Sequence, residues 1–439
     1  MSRRVLIVGG GVIGLCTAYY CAQRGFAVTV LERKPQQRDG CSFGNAGMIV
    51  PSHFVPLAAP GAVALALKWM WNPGSPFYLK PRFSRDLFSW GLQFWRAANP
   101  EHVRRAAPLL RDLSLASRAA YVALADECSR RRREADTSAG STVNPPPQAG
   151  GYDFGLVQMG LLMLCQEAHT LEEEARTAEL ARSLGIPAEV LDAKQTAARD
   201  PDVRMDVAGS VYFPKDCHFI PDRFLAALEN KLRQLGAEFV WDAPVKGWKR
   251  DGTRLAAAIS GRGEFAADEF VLCGGVWSQE LARELGLRLP LQAGKGYSVT
   301  LPEPRQLPRI CAIFSEARVA VTPMDGALRF GGTMEIAGLN EDINPVRVRG
   351  IINAVPKYYP DFRPGDFDGL QPWRGLRPCS PDGLPFIGRT AKFANLAVAA
   401  GHAMMGMSLG PVTGQLISQI LSGEKPPWDL GQLSPDRYA

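Results

Sequence analysis

Apolar residues open the chain in an unbroken run, Val5-Leu6-Ile7-Val8, the pattern of a parallel strand buried on both faces. Gly9-Gly10-Gly11-Val12-Ile13-Gly14 follows, then a helical stretch over 15–24 that Gly25 stops. Ala27-Val28-Thr29-Val30-Leu31 is a second apolar run and reads as a strand ending at Glu32. Farther on, the spacing predicts a long helix over 103–134, a strand within 155–164, an acidic helix over 170–184 and a helix over 222–235. Short strands are expected near 237–241 and 270–273, and alternating strands at 297–301, 319–322 and 328–330. The last third regains α/β character, with Leu396-Ala397-Val398-Ala399 as a strand and a helix from Pro411 to about 421. Pro411 suits the first turn of that helix, where its missing N–H costs nothing. No apolar run reaches the roughly 18 residues that a membrane span needs.

The first strand, glycine loop, helix, second strand and acid form one chemical unit. Gly9 permits a tight turn, Gly11 lets backbone amides approach a pyrophosphate, and Gly14 lets helix and strand touch. The helix N-terminus faces the phosphates, and Glu32 accepts hydrogen bonds from a ribose diol. A carboxylate at that position disfavours a 2′-phosphate and so NADP. FAD and NAD both fit this segment.

Composition narrows the class. The 439 residues suggest two domains or one large composite, and 46% hydrophobic with 21% charged residues is ordinary for a globular enzyme. A net charge of +6 is too mild for a dedicated nucleic-acid binder, and no nucleic-acid partner is expected. The run Arg130-Arg131-Arg132-Arg133 reads as a solvated helix end beside the negative end of the helix dipole. The nine cysteines are scattered and form no C-x-x-C pair, which points to a reducing compartment, with no disulfide framework and no metal site. Ser2-Arg3-Arg4 and the apolar run after it look like a signal peptide, but cleavage there would remove the glycine loop. Residues 68–96 interleave Trp69, Trp71, Phe77, Tyr78, Phe83, Phe88, Trp90, Phe94 and Trp95 with Lys68, Lys80, Arg82 and Arg85. That stretch is either domain core with snorkelling cations or an interfacial membrane patch.

Further motifs carry a family resemblance. They are Ser42 with Asn45-Ala46-Gly47, Gly274-Gly275-Val276-Trp277-Ser278, Trp373-Arg374-Gly375-Leu376-Arg377-Pro378 with Ser380-Pro381-Asp382-Gly383, and Gly401-His402 with Gly406. Together with the first loop and Glu32-Arg33, they make nearly the whole chain resemble the FAD-dependent D-amino-acid oxidase and dehydrogenase superfamily, which includes glycine and sarcosine oxidases. The nearest look is to bacterial D-amino-acid and D-hydroxyproline dehydrogenases. The resemblance implies an α/β (α+β composite) fold, a Rossmann-like FAD-binding domain with an interleaved antiparallel-sheet substrate domain. The first would be discontinuous over 1–55, 205–285 and 370–439, and the second would span 56–204 and 286–369, with 135–151 a flexible inserted loop.

The resemblance also implies roles. Gly9, Gly11, Val12, Ile13, Gly14, Glu32 and Arg33 would hold the ADP half of FAD, and Ser42, Asn45, Ala46 and Gly47 would line the pyrophosphate and flavin. Val245, Gly274, Gly275 and Trp277 would border the adenine side, and Gly401, His402, Gly406, Met407 and Ser408 would surround the isoalloxazine. Arg377 matches the arginine that clamps the substrate carboxylate, while Tyr297 and His53 are candidates for the pocket wall or for substrate contact. Hydride would leave Cα for flavin N5, with no obligatory general base and with the amine proton lost to water. Some sarcosine-oxidase relatives attach flavin through a cysteine seven residues before the Asp of the Pro-Asp pair; here that position is Gly375, so FAD is expected to be non-covalent.

The expected reaction is oxidative deamination of D-amino acids, preferably the cyclic D-proline and cis-4-hydroxy-D-proline, with quinone or O2 as electron acceptor. Lys295 is a candidate helper for oxygen, whereas residues 68–96 favour a membrane quinone. The expected location is cytoplasmic, with peripheral contact at the inner face of the cytoplasmic membrane. Alternatives are a glycine- or sarcosine-type amine oxidase, a tRNA-modifying flavoenzyme, an NAD-linked dehydrogenase and a non-catalytic membrane-associated binding protein.

Overall fold

Val5, Leu6, Ile7 and Val8 are all at most 5% exposed, because the strand they form is covered on both faces. The computed structural model describes residues 2–70, 74–80, 82, 84–138 and 153–439, with backbone alone for 129–138. Arg4–Val8 is central in a six-stranded sheet, ordered Phe386–Arg389, Leu396–Ala400, Glu269–Leu272, Arg4–Val8, Ala27–Leu31 and Glu238–Val240. All neighbours are parallel except the antiparallel edge pair Phe386–Arg389 with Leu396–Ala400. Helix Val12–Gln23 connects the first two strands and packs against helix Gly406–Ser422. A Cβ at Gly14 would meet the carbonyl oxygen of Gly9 at 1.8 Å, so no other residue fits that position.

A second sheet of nine strands stands beside the first. Its main path runs Trp373–Cys379, Gln292–Leu301, Ala327–Ile336, Val319–Met324, Cys311–Phe314, Leu161–Cys165, Gly209–Phe213 and Glu189–Asp192, and Phe77–Leu79 pairs with Ala327–Ile336. The chain passes repeatedly between the sheets. Gly209–Phe213 and Trp373–Cys379 are hydrogen-bonded into the second sheet, so these crossings fall after 213 and 379 rather than at 205 and 370. A two-stranded ladder, Met48–Ile49 with Cys217–His218, ties the two halves together. A three-stranded sheet, Val245–Asp251, Arg254–Ser260 and Gly263–Ala266, packs against the six-stranded sheet and was not legible in the sequence.

Two predicted elements differ instructively. The last helix starts at Gly406, five residues before Pro411, so the proline lies inside it. Pro411 cannot donate to the carbonyl of Met407, four residues back; the Tyr121 hydroxyl donates to that carbonyl instead, at 2.5 Å. The long helix spans Pro100–Ser138. Residues 135–138 thus continue it, Arg130 to Arg133 fall in its last turns, and the remainder of 135–151 lies outside the described residues.

The aromatic-basic stretch contributes both buried and exposed aromatic side chains. Helix Ala62–Trp69, strand Phe77–Leu79 and helix Arg85–Ala97 arise from it, the last capped by Ser84 Oγ accepting from Leu87 N at 3.3 Å. Trp90 is core, its indole N–H donating to the Cys379 carbonyl at 2.9 Å, whereas Phe88 is 77% and Trp95 63% exposed. Trp71 and Phe83 lie outside the described residues.

Candidate functional site

The glycine loop forms a phosphate cradle by its own geometry. Gly9 adopts φ +115°, a value L side chains avoid, and its N–H donates to the Leu31 carbonyl at 2.8 Å. The turn delivers the N-terminus of helix Val12–Gln23, whose cap, Gly11, brings no side chain. Val12 N donates to Ser42 Oγ at 3.0 Å, which fastens the second loop to the first, and Ile13 packs at the edge of the core. Glu32 is 8% exposed, and its carboxylate accepts from Gly10 N at 2.7 Å and from Lys34 N at 2.9 Å. Each oxygen retains a lone pair for a ribose hydroxyl.

The Arg33 guanidinium lies 3.9 Å from the centre of the Trp277 ring, beside the turn Gly274-Gly275. Val245 starts the three-stranded sheet two residues after Ala243, whose N–H donates to the Glu32 carbonyl at 2.9 Å. The loop 41–47 is braced internally by Asn45 Oδ1, which accepts from Gly47 N at 2.9 Å, and is anchored to the second sheet at two points: the Asn45 carbonyl accepts from Arg329 at 2.8 Å, and the Gly44 carbonyl accepts from Ser298 Oγ at 2.9 Å.

Gly401, His402, Gly406, Met407 and Ser408 stand at the start of the last helix. Ser408 Oγ accepts from Val50 N at 3.0 Å, and Met407 is buried. His402 donates or accepts through Nε2 with Thr413 at 3.0 Å, while its buried Nδ1 has no hydrogen-bond partner among the described residues. Burial holds its pKa down at about 3, so the ring is neutral. The donors, the lone pairs of Glu32, the Arg33–Trp277 slot and this orphan nitrogen fit a bound dinucleotide such as FAD. The roles of these residues toward the cofactor belong to the functional proposal.

From loop 41–47 a cavity of about 1480 Å³ runs over the second sheet to the helices Ala62–Trp69 and Arg85–Ala97. Arg377, Tyr297 and His53, which are far apart in sequence, all line it. Arg377 donates through Nη1 to the Thr333 carbonyl at 2.9 Å, leaving the rest of its fork free for a carboxylate. Thr333 holds φ +62°, strained for a β-branched residue, and that backbone turn directs its carbonyl at the arginine.

The Tyr297 ring forms wall, but its hydroxyl is already committed, donating to Glu335 Oε2 at 2.7 Å. Lys295 is also committed: it is 2% exposed, donates to Asn340 Oδ1 at 2.9 Å and the Asp342 carbonyl at 2.7 Å, and lies 3.6 Å from Glu335. It does not line the cavity, so the oxygen-helper role considered for it has no geometric basis.

Position 375 explains why no cysteine stands there. A Cβ on Gly375 would meet the Trp373 ring at 2.3 Å and the Cys41 Cα at 3.1 Å. Cys41 itself reaches the cavity, but burial pushes its thiol pKa up and so away from the reactive thiolate.

Three groups were missed by sequence reasoning. Arg318, at φ +52° in the turn after Cys311–Phe314, lines the cavity one strand from Thr333. Ser52 and Asp216 stand behind His53: Ser52 Oγ lies 3.0 Å from His53 Nδ1 and donates to Asp216 Oδ2 at 2.5 Å. Burial, then the Arg318 charge, lowers the His53 pKa to about 4, and burial raises that of Asp216 to about 7.

Comparison with known proteins agrees with this architecture. The family model for FAD dependent oxidoreductases (DAO) matches residues 4–420. The D-amino acid dehydrogenase of Bradyrhizobium diazoefficiens is 31% identical over 445 residues, covering 99% of each chain. The protein of that name from Paramagnetospirillum magneticum is 31% identical over 441 residues, again 99% of each. Among solved structures, glycine oxidase from Geobacillus kaustophilus matches with a TM-score of 0.77 at 24% identity, over 100% of both chains. L-proline dehydrogenase from P. horikoshii matches with a TM-score of 0.70 at 16% identity, over 100% of this chain and 98% of that one. The two structures share the fold, and the family match over nearly the whole length fixes the assignment: the chain belongs to the DAO family of FAD-dependent oxidoreductases.

Proposed function

We propose that the chain is an FAD-dependent dehydrogenase of D-amino acids, with the cyclic D-imino acids D-proline and cis-4-hydroxy-D-proline as preferred substrates. The observation that carries this reading is Arg377, tethered to the Thr333 carbonyl on the wall of a cavity that continues from the nucleotide cradle. FAD, held without a covalent bond by the glycine loop, Glu32 and loop 41–47, would supply the acceptor for the hydride leaving the substrate Cα. The chain's own residues bind and orient. Arg377 fixes the carboxylate by two parallel charge-assisted bonds, and Tyr297 with Met163, Ile313 and Ala320 offers a largely apolar wall to a compact ring. Holding Cα in one attitude supplies most of the acceleration, since hydride transfer needs position before it needs acid or base.

The acceptor in this reading is a membrane quinone. The cavity's far end is built from two helices that carry Leu67, Phe88 and Trp95 on the protein surface, each more than half exposed. Burying each in lipid is worth about 1.5–3 kcal/mol, and Lys68, Arg85 and Arg96 flank them for anionic headgroups.

The test is anaerobic addition of D-proline, cis-4-hydroxy-D-proline, D-alanine, glycine, sarcosine and the L-enantiomers, following loss of the flavin's visible band. Fastest bleaching by the two cyclic D-compounds is expected. Bleaching by glycine or sarcosine alone would move the enzyme to the amine-oxidase class, and bleaching by L-enantiomers alone would reverse the handedness.

A further inference from the structure

The geometry points to a proton relay, His53–Ser52–Asp216, that takes the proton from the substrate's ammonium group. It rests on the amino-acid dehydrogenase reading and gives that reaction a base that the sequence did not suggest.

The hydrogen bonds dictate the direction. Asp216, as a carboxylate, can only accept, and it accepts twice from Ser52: from the backbone N–H at 3.1 Å and from Oγ–H at 2.5 Å. Ser52 has one hydroxyl hydrogen and has spent it on Asp216. The 3.0 Å contact between Ser52 Oγ and His53 Nδ1 is then possible only if Nδ1 carries the hydrogen and donates. A neutral imidazole protonated on Nδ1 has its lone pair on Nε2, and the contact with Ser52 through Nδ1 is the one side-chain hydrogen bond His53 makes among the described residues. His53 is half-buried and lines the cavity, so that lone pair is available to a bound amine.

The transfer balances. The substrate N–H bond breaks, its electron pair stays on nitrogen, and the proton binds His53 Nε2. His53 Nδ1–H passes to Ser52 Oγ, and the Ser52 hydroxyl hydrogen passes to Asp216 Oδ2. At the end His53 is neutral in its other tautomer, Ser52 is a hydroxyl again and Asp216 is a carboxylic acid. Both hydrogen bonds along the relay survive with their directions reversed, and the Ser52 backbone N–H still donates to Asp216 Oδ1. The retained electron pair is what stabilises the carbon cation as Cα gives up hydride, so the proton must leave first or together with it.

The surroundings favour this endpoint. Burial and the neighbouring Arg318 disfavour an imidazolium at His53, so the proton does not rest there. Asp216 is buried among the thiols of Cys217 and Cys311, with the charge of Arg118 of the long helix acting on it, and its pKa of about 7 suits acceptance near neutrality. Cys217 and Cys311 are both held protonated by burial, so they do not titrate in this range. Water alone would be a poorer acceptor in this sealed corner, where Ser52 is 6% and Asp216 0% exposed.

The experiment uses FAD-bound protein and anaerobic stopped-flow reduction by whichever amino acid bleaches it fastest, from pH 5.5 to 10 in steps (roughly the window in which imidazole, carboxylate and amine groups titrate). In the wild type the reduction rate should rise about tenfold per pH unit below an apparent pKa near 7 and then level off. In Asp216→Asn that rise should vanish, with the rate at neutral pH down on the order of 10²-fold and recovering only where the free amine itself deprotonates. Ser52→Ala leaves both ends in place and cuts the chain between them, and it should give the same profile with unchanged flavin content. It decides the matter if Asp216→Asn loses FAD. Wild-type pH profiles in both variants would overturn the relay while leaving the dehydrogenase reading intact. Failure of every amino acid to bleach the wild type would overturn both.

Discussion

At the scale of single residues, Arg377 is the side chain whose loss should be felt most directly in catalysis. Arg377→Lys keeps the charge but loses the planar fork, and should raise KM about 10- to 100-fold, the equivalent of about 1.5–3 kcal/mol for one charge-assisted hydrogen bond. Steady-state kinetics with a carboxylate substrate and with its amide would check this: the preference for the acid should shrink. Thr333 makes the opposite prediction. Its left-handed backbone is costly for a β-branched residue, and its hydroxyl is buried without a partner among the described residues. Thr333→Gly removes both penalties while keeping the carbonyl that holds Arg377, so the variant should melt higher by an amount corresponding to about 1–2 kcal/mol, as thermal unfolding would show. Arg377 was legible in the sequence because it stands in a short local motif. Asp216 was not, because it meets Ser52 across a separation of 164 positions and nothing in a lone buried aspartate announces its partner. Tyr297 and Lys295 illustrate the same gap: both were singled out by neighbourhood, and Glu335 on the adjacent strand claims both of them.

At the scale of elements, the last helix depends on a contact made far away. Tyr121→Phe would leave the Met407 carbonyl unpaired at the proline break, costing about 1–3 kcal/mol and lowering the unfolding midpoint. Pro411 misled the reading of where that helix begins because sequence rules assume that the carbonyl behind an interior proline goes unsatisfied. Tyr121, on another helix, removes that objection. The helix Arg85–Ala97 carries a different prediction. Trp95→Ser should weaken co-flotation with anionic lipid vesicles while substrate still bleaches the flavin at the wild-type rate, since that side chain is 63% exposed and does not line the cavity. The stretch showed its composition in the sequence but not its elements, because aromatic and basic residues there serve core and surface on alternate faces. The nucleotide strands, by contrast, were readable to within a residue or two, being continuous apolar runs closed by glycine or acid.

At the scale of the molecule, the two sheets meet around the cavity and the cradle, and the cofactor would be part of that junction. Adding FAD to protein stripped of it should therefore raise the unfolding temperature in a concentration-dependent way, by about 2.7 kcal/mol at a hundredfold excess over Kd. Acid precipitation should leave the yellow colour in solution, consistent with Trp373 filling the space a linking cysteine at position 375 would need. The fold class and the alternation of α/β and antiparallel segments were legible because each sheet has its own apolar rhythm. The points of crossing were not, since Gly209–Phe213 and Trp373–Cys379 look the same in sequence whichever sheet they join.

The order of strands in the six-stranded sheet also says something about how the protein comes into being. Arg4–Val8 is synthesised before both of its neighbours, yet one of them, Glu269–Leu272, emerges long after it, and the strand beyond that, Leu396–Ala400, later still. The nascent glycine loop is thus left with an open sheet edge until those strands arrive, and helix Gly406–Ser422, which packs against helix Val12–Gln23, follows later than either. A chain cut short before helix Gly406–Ser422 would carry the nucleotide motif without the helix that packs behind it.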